Sequence, residues 1–197
     1  DIIFWSALSS HIHGEGEYIN IEYGHELVSE IKNYKGLRIC GGIQATANSE
    51  KTQRRFKGID FLISGESELV LNNITKYYPD LNKIKKLNGV NYYDKIKKKF
   101  IKNPRQDIIK DLDLVSPYDY SLFDKQVFLR PYNGKVTKAI DYEISRGCIY
   151  TCSYCVETII QRYYGFEENN KNGTLLNFKN YLRNKSAKVI FKEITKL

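Results

Sequence analysis

The stretch SRGCIYTCSYC, residues 145–155, sets three cysteines at Cys148, Cys152 and Cys155. This C-x3-C-x2-C spacing gathers three thiolates in one short loop, with Arg146 and Gly147 before it and aromatic Tyr154 just ahead of the last cysteine. A structural zinc site takes four protein ligands. No His or Cys follows Cys155, and Cys40 belongs to a distant apolar run, so the fourth ligand is missing. Cubane iron–sulfur clusters are held by cysteine thiolates, and three local thiolates leave one of the four irons open to a ligand that is not protein.

Working outward from the loop, residues 139–145 (AIDYEIS) alternate and predict a strand leading into the cysteines. Downstream, residues 189–194 (VIFKEI) predict a further strand, with Glu193 near its end. Too little chain follows Cys155 to close a barrel of βα units, because one crossover alone takes about thirty residues. The chain has no Met and opens directly on an apolar run, so it is expected to be a piece of a longer protein.

Upstream, the apolar runs at residues 2–7, 37–40 and 59–63 have strand length. Between them, Leu27, Val28, Ile31 and Tyr34 recur at helical spacing, residues 50–56 form a polar helical segment, and Val70, Ile74 and Tyr77 mark one helix face. Strands alternating with helices predict a parallel sheet covered on its faces. Ligands of such sheets sit beyond the carboxyl ends of the strands. Those ends, residues 6–10, 41–46 and 64–68, carry small or polar residues, and at Gly41 and Gly42 a side-chain-free backbone can turn sharply or approach a ligand closely.

From residue 79 to 138 the texture changes to short, Lys- and Tyr-rich pieces. Residues 90–93 and 100–102 predict a small hairpin, and Pro117 interrupts the connector DLDLVSPYDYSLFD, residues 111–124. The expected organisation is therefore an α/β unit over residues 1–78, a connector with a hairpin over 79–138, and a unit opened by the cysteine loop over 139–197.

The net charge is +8, but the lysines are scattered among Asn, Ile and Tyr and are read as a solvated surface rather than a nucleic-acid face. No apolar run approaches the length that spans a bilayer, and the start lacks the basic flank of a signal peptide. Three cysteines at ligand spacing fit a reducing compartment, so a cytoplasmic protein is expected. Cys40 is read as a small buried hydrophobe, and His11, His13 and His25 as surface residues.

Cys148, Cys152, Tyr154 and Cys155 match the C-x3-C-x-aromatic-C loop of radical S-adenosylmethionine (SAM) enzymes, which the chain resembles. Upstream, CGGIQAT (residues 40–46), ISGESE (63–68) and the connector DLDLVSPYDYSLFD resemble, in the same order, patterns of the subfamily with a preceding cobalamin-binding domain. The resemblance implies a fold made of the C-terminal part of a Rossmann-like parallel sheet, a linker, and the start of a partial βα, TIM-like barrel. It implies a [4Fe-4S] cluster on Cys148, Cys152 and Cys155, with SAM on the open iron and reductive cleavage to a 5′-deoxyadenosyl radical. Tyr154 would lie near the adenine and Glu193 near SAM, while a cobalamin tail would lie over Gly41, Gly42, Gly65 and Glu66. No D-x-H-x-x-G string, the usual cobalt-ligating loop, occurs in the sequence. The implied activity is methyl transfer, rearrangement or cyclisation of a small-molecule substrate, with electrons from a flavodoxin or ferredoxin. Two alternatives stand beside it: a tRNA methylthiotransferase-like enzyme, and a basic metal-binding module that contacts nucleic acid.

Overall fold

A computed structural model describes residues 1–7, 19–169 and 172–196. The predicted α/β unit is present. Strands β1 (Ile2–Ser6), β2 (Leu37–Gly41) and β3 (Phe61–Ile63) pair in parallel, in that order. Helices α1 (Ile19–Glu30), α2 (Gly42–Ala47), α3 (Ser49–Arg55) and α4 (Glu68–Tyr77) lie between and after them. After the short α5 (Leu81–Ile84), β4 (Val90–Asp94) and β5 (Lys99–Lys102) extend the same sheet antiparallel. The predicted hairpin thus forms, as the fourth and fifth strands of one sheet in the order β1-β2-β3-β4-β5.

The apolar runs are continuous because the central strands are covered on both faces, and successive side chains point to opposite sides. Ile39, Phe61 and Ile63 join Val70 and Ile74 of α4 and Ile84 of α5 in one cluster. Cys40 and Leu62 join Ala7, Ile21, Ala45 and Phe56 in the other. Cys40 is fully buried, and that burial pushes its thiol up to about 12, as expected of a small core residue. His25 is half-buried rather than on the open surface. Its ring lies against Trp5 and Phe56, and its Nε2 hydrogen-bonds the Lys57 carbonyl at 2.9 Å. His11 and His13 fall outside the described residues.

The chain divides into two compact units, residues 1–108 with 150–176, and residues 109–149 with 177–197. In the second unit, β6 (Leu129–Tyr132) and β7 (Lys135–Lys138) form a hairpin closed by Asn133 and Gly134, both at positive φ. Only β8 (Ser145–Arg146) of the strand expected over residues 139–145 is paired, and it runs antiparallel to β11 (Arg183–Asn184). The rest of that segment has no neighbouring strand among the described residues.

The expected strand at residues 189–194 is instead α7, Ala187–Ile194. Ser186 caps it by accepting a hydrogen bond from the Val189 amide at 3.3 Å. Val189, Ile190 and Glu193 are its half-buried positions, a helical spacing rather than an alternation. The barrel start that the strand was to supply is therefore not formed by these residues. No helix among the described residues is long and apolar enough to cross a membrane.

Leu62 lies fully buried at the centre of the sheet. Leu62→Ala should lower unfolding stability by about 2–5 kcal/mol, read as a fall in the urea midpoint at unchanged slope.

Candidate active site at the cysteine loop

The cysteine loop spans the point where the chain passes from one unit to the other: Cys148 belongs to the second unit, Cys152 and Cys155 to the first. None of the three is in a disulfide, and all are partly exposed. Among the described residues no three His, Cys, Asp or Glu side chains are gathered as a metal cluster. The donor set itself, three unbridged thiols with solvent access, is chemically suited to iron and sulfide.

In the second unit, Gly147 leads into Cys148 at φ +93, and a Cβ there would lie 2.5 Å from the Tyr181 carbonyl oxygen. Only glycine fits this left-handed, crowded position. Tyr181 is buried, and Arg183 beside it donates to the Tyr181 carbonyl at 3.0 Å and to the Ile109 carbonyl at 2.6 Å.

In the first unit, β9 (Glu168–Asn169) and β10 (Thr174–Leu175) form a short hairpin beside the loop. Thr151 donates its amide to the Gly173 carbonyl at 2.9 Å and its hydroxyl to Glu168 at 2.7 Å, and Tyr150 bridges to Thr174. A turn joins the Cys155 amide to the Cys152 carbonyl at 3.0 Å. Helix α6 (Glu157–Tyr164) follows at once. Tyr154 is 90% exposed, so its ring is free to stack on a planar ligand. A hydrogen bond with Cys152 pushes its phenol up.

The three loops at the carboxyl ends of the parallel strands are stitched together. The Ala7 amide donates to the Gly41 carbonyl at 2.9 Å, the Ser64 hydroxyl to Ala45 at 2.8 Å, and the Gly65 amide to the Thr46 hydroxyl at 2.9 Å. The space that each glycine leaves is filled by protein. A Cβ on Gly41 would lie 2.7 Å from the Phe4 ring, one on Gly42 2.7 Å from the Ser6 hydroxyl, and one on Gly65 2.5 Å from the Tyr164 hydroxyl. The Glu66 amide donates to that same hydroxyl at 2.7 Å.

Glu193 stands on α7 with its carboxylate already engaged. Lys185 donates to it at 2.7 Å, the Tyr142 hydroxyl donates to the same oxygen, and the Lys185 ammonium lies 5.1 Å from the Tyr142 ring centroid. Lys185 and Glu193 are 6% and 10% exposed, so this is a buried ion pair. Burial works against the charged carboxylate, yet the hydrogen bonds from Lys185 and Tyr142 bring Glu193 below its ordinary value. Burial, then the bond to Glu193, pushes the Tyr142 phenol up to about 12.

The sequence reading did not single out Gln106, Gln161, Tyr163 and Tyr164, which tie these loops together. Gln161 and Tyr164 share one face of α6 at i, i+3 spacing, and both are buried. The run QRYYG, residues 161–165, carries that signal.

The geometry has counterparts among known proteins. No family model matches the chain. It is 30% identical over 132 residues, 65% of its length, to an anaerobic magnesium-protoporphyrin IX monomethyl ester cyclase of Cereibacter sphaeroides. It is 28% identical over 141 residues, 68% of its length, to the enzyme of that name from Rubrivivax gelatinosus. The matches span 21% and 24% of those two proteins. Among solved structures, the radical SAM methyltransferase TsrM from Kitasatospora setae covers the whole chain with a TM-score of 0.55 at 14% identity, over 34% of its own length. The cobalamin-dependent SAM radical enzyme OxsB covers 99% of the chain with a TM-score of 0.52 at 17% identity, over 23% of its length. The chain shares the fold of a part of these structures. The resemblance read from the cysteine loop and the glycine loops agrees with these matches, and the proteins to which the chain is similar in sequence and in fold are enzymes. The TsrM and OxsB structures contain cobalamin, SAM or an analogue of it, and a [4Fe-4S] cluster between them.

Glu193→Ala leaves the Lys185 ammonium buried and unpaired, which should destabilise the second unit by about 3–5 kcal/mol. The carboxyl is depressed in the folded state, so its contribution is present above the unfolded carboxylate value and is lost as pH falls through the folded one. Unfolding curves across the acid range should show that loss in the parent protein and its absence in Glu193→Gln.

Proposed function

We propose that the protein containing this chain is a radical SAM enzyme that uses a [4Fe-4S] cluster and cobalamin for methyl transfer, or for cyclisation or rearrangement, of a small molecule. The observation that carries the reading is the set of three partly exposed thiols at Cys148, Cys152 and Cys155, none of them in a disulfide, within a chain whose fold resembles that of a radical SAM methyltransferase. Those three residues would hold the cluster. When bound, it supplies one electron for reductive cleavage of SAM.

The chain's own residues contribute positioning. Gly147 allows the sharp entry that presents Cys148, and the Cys152–Cys155 turn presents the other two thiols. Tyr154, exposed beside Cys152, offers a ring face to the adenine of SAM. The assignment of Glu193 to SAM has less support, since Lys185 and Tyr142 already occupy its carboxylate.

Cobalamin would lie at the carboxyl edge of the parallel sheet, where such folds bind ligands. Gly41, Gly42, Gly65 and Glu66 shape that edge, so any contact there is with its backbone and rim. An electron donor such as a flavodoxin or ferredoxin, a cytoplasmic setting and the identity of the substrate belong to this proposal.

Anaerobic reconstitution of the full-length protein with iron and sulfide tests the reading. Visible charge-transfer absorbance should appear and should be abolished by the triple replacement of Cys148, Cys152 and Cys155 with Ala, while Cys40→Ala leaves it intact. Uptake of zinc alone, or absorbance that survives the triple replacement, would sink the proposal. Separately, retention of hydroxocobalamin by the same protein is expected. Failure to retain it would reduce the sheet to a scaffold and remove the methyltransferase reading.

A further inference from the structure

Helix α6 holds the first unit's part of the cysteine loop at both of its ends. At the start, the buried Gln161 side chain donates to the Tyr150 carbonyl at 3.0 Å. At the end, the Thr158 hydroxyl donates to the Cys155 carbonyl at 2.8 Å, and the Thr158 amide donates to the same oxygen at 3.3 Å. The far end of α6 is fastened elsewhere. The Tyr163 hydroxyl donates to the Ser64 carbonyl at 2.9 Å, and the Tyr164 hydroxyl accepts the Glu66 amide at 2.7 Å. Both tyrosines thus bond the single turn of chain that follows β3, nearly a hundred residues earlier in sequence.

That turn is built to receive them. Gly65 stands at φ +87, and a Cβ there would lie 2.5 Å from the Tyr164 hydroxyl and 2.9 Å from the Tyr163 ring. Gln106 braces the same turn from behind, donating to the Ser64 carbonyl at 2.8 Å and the Glu66 carbonyl at 2.6 Å. Ser64 and Gln106 are buried, so unmade bonds here would be costly. The two rings meet edge to face with centroids 5.0 Å apart, which leaves little freedom for either to swing away.

We infer that Tyr163 and Tyr164 are positioning residues: they dock α6 on the Gly65 turn and so fix the segment bearing Cys152 and Cys155 against the ligand-binding edge of the sheet. Gly65 is then required for the approach of Tyr164, not for room left to a cofactor. The inference rests on the proposed function for its purpose, but its geometry stands without it. The two fail separately, because amide exchange reads the docking in protein free of iron.

The experiment is hydrogen–deuterium exchange on the full-length apo-protein with Tyr163→Phe, Tyr164→Phe and Gly65→Ala, with Tyr132→Phe as an exposed control. Each hydroxyl deletion removes one hydrogen bond of net worth about 1 kcal/mol, so opening of the docked segment should rise about fivefold. The expected result is that rise at the amides of Thr151, Cys155 and Ile159, with the amides of β2 unchanged. Gly65→Ala should reproduce it. In reconstituted, reduced protein the same variants should broaden the electron paramagnetic resonance signal of the cluster, a change that a loss of bulk stability does not produce. Faster exchange confined to the Glu66 amide would overturn the inference, as would an equal rise across β2, which would mean that the hydroxyls contribute only to global stability.

Discussion

The backbone turn that ends β3 is the constraint on which the first unit depends. Ser64 is 2% exposed and Asn91 1%, so every polar group there needs a protein partner. The Ser64 hydroxyl donates to Ala45 and accepts from Asn91 at 2.9 Å, its amide donates to Gly89 at 2.9 Å, and its carbonyl accepts from Gln106 and Tyr163. One residue thereby joins helix α2, the hairpin strand β4, the connector and the helix after the cysteines. A parallel sheet leaves the carboxyl ends of its strands as an open edge, and this network converts that edge into a fixed surface.

The sheet was legible because its strands are buried on both faces. Continuous apolar runs such as FLI at β3 and IC within β2 have no competing reading when helical spacing separates them. The hairpin at residues 129–138 carried an equally local signal, Asn133-Gly134 between short runs, and the sequence reading passed over it because those runs are exposed and lack apolar alternation. The cysteine loop stood out as a candidate from spacing alone, since thiolate chemistry needs few residues and no fold. Gln106, Tyr163 and Tyr164 were not, because their role exists only once chain segments far apart in sequence meet.

The segment around Glu193 shows where local sequence stops deciding. VIFKEI is rich in β-branched and aromatic residues, which favour a strand, but a strand needs a partner, and none is adjacent among the described residues. A helix satisfies its own backbone, and Ser186 supplies the cap that starts it. The helical turn then carries Glu193 back to Lys185 and Tyr142.

That pairing bears on how the acidic residue is to be read. A carboxylate able to bind a ligand's amine must be without a competing cation, or must exchange one for the other. Glu193 is matched by Lys185 at 2.7 Å in a buried setting, and exchanging that ammonium for a ligand's would leave Lys185 buried and unpaired. Ligand binding through Glu193 would thus carry the penalty of a stranded charge, whereas the Tyr154 side chain is 90% exposed. The Glu193 carboxylate is accordingly committed to partners on its own unit, and α7 serves the packing of that unit.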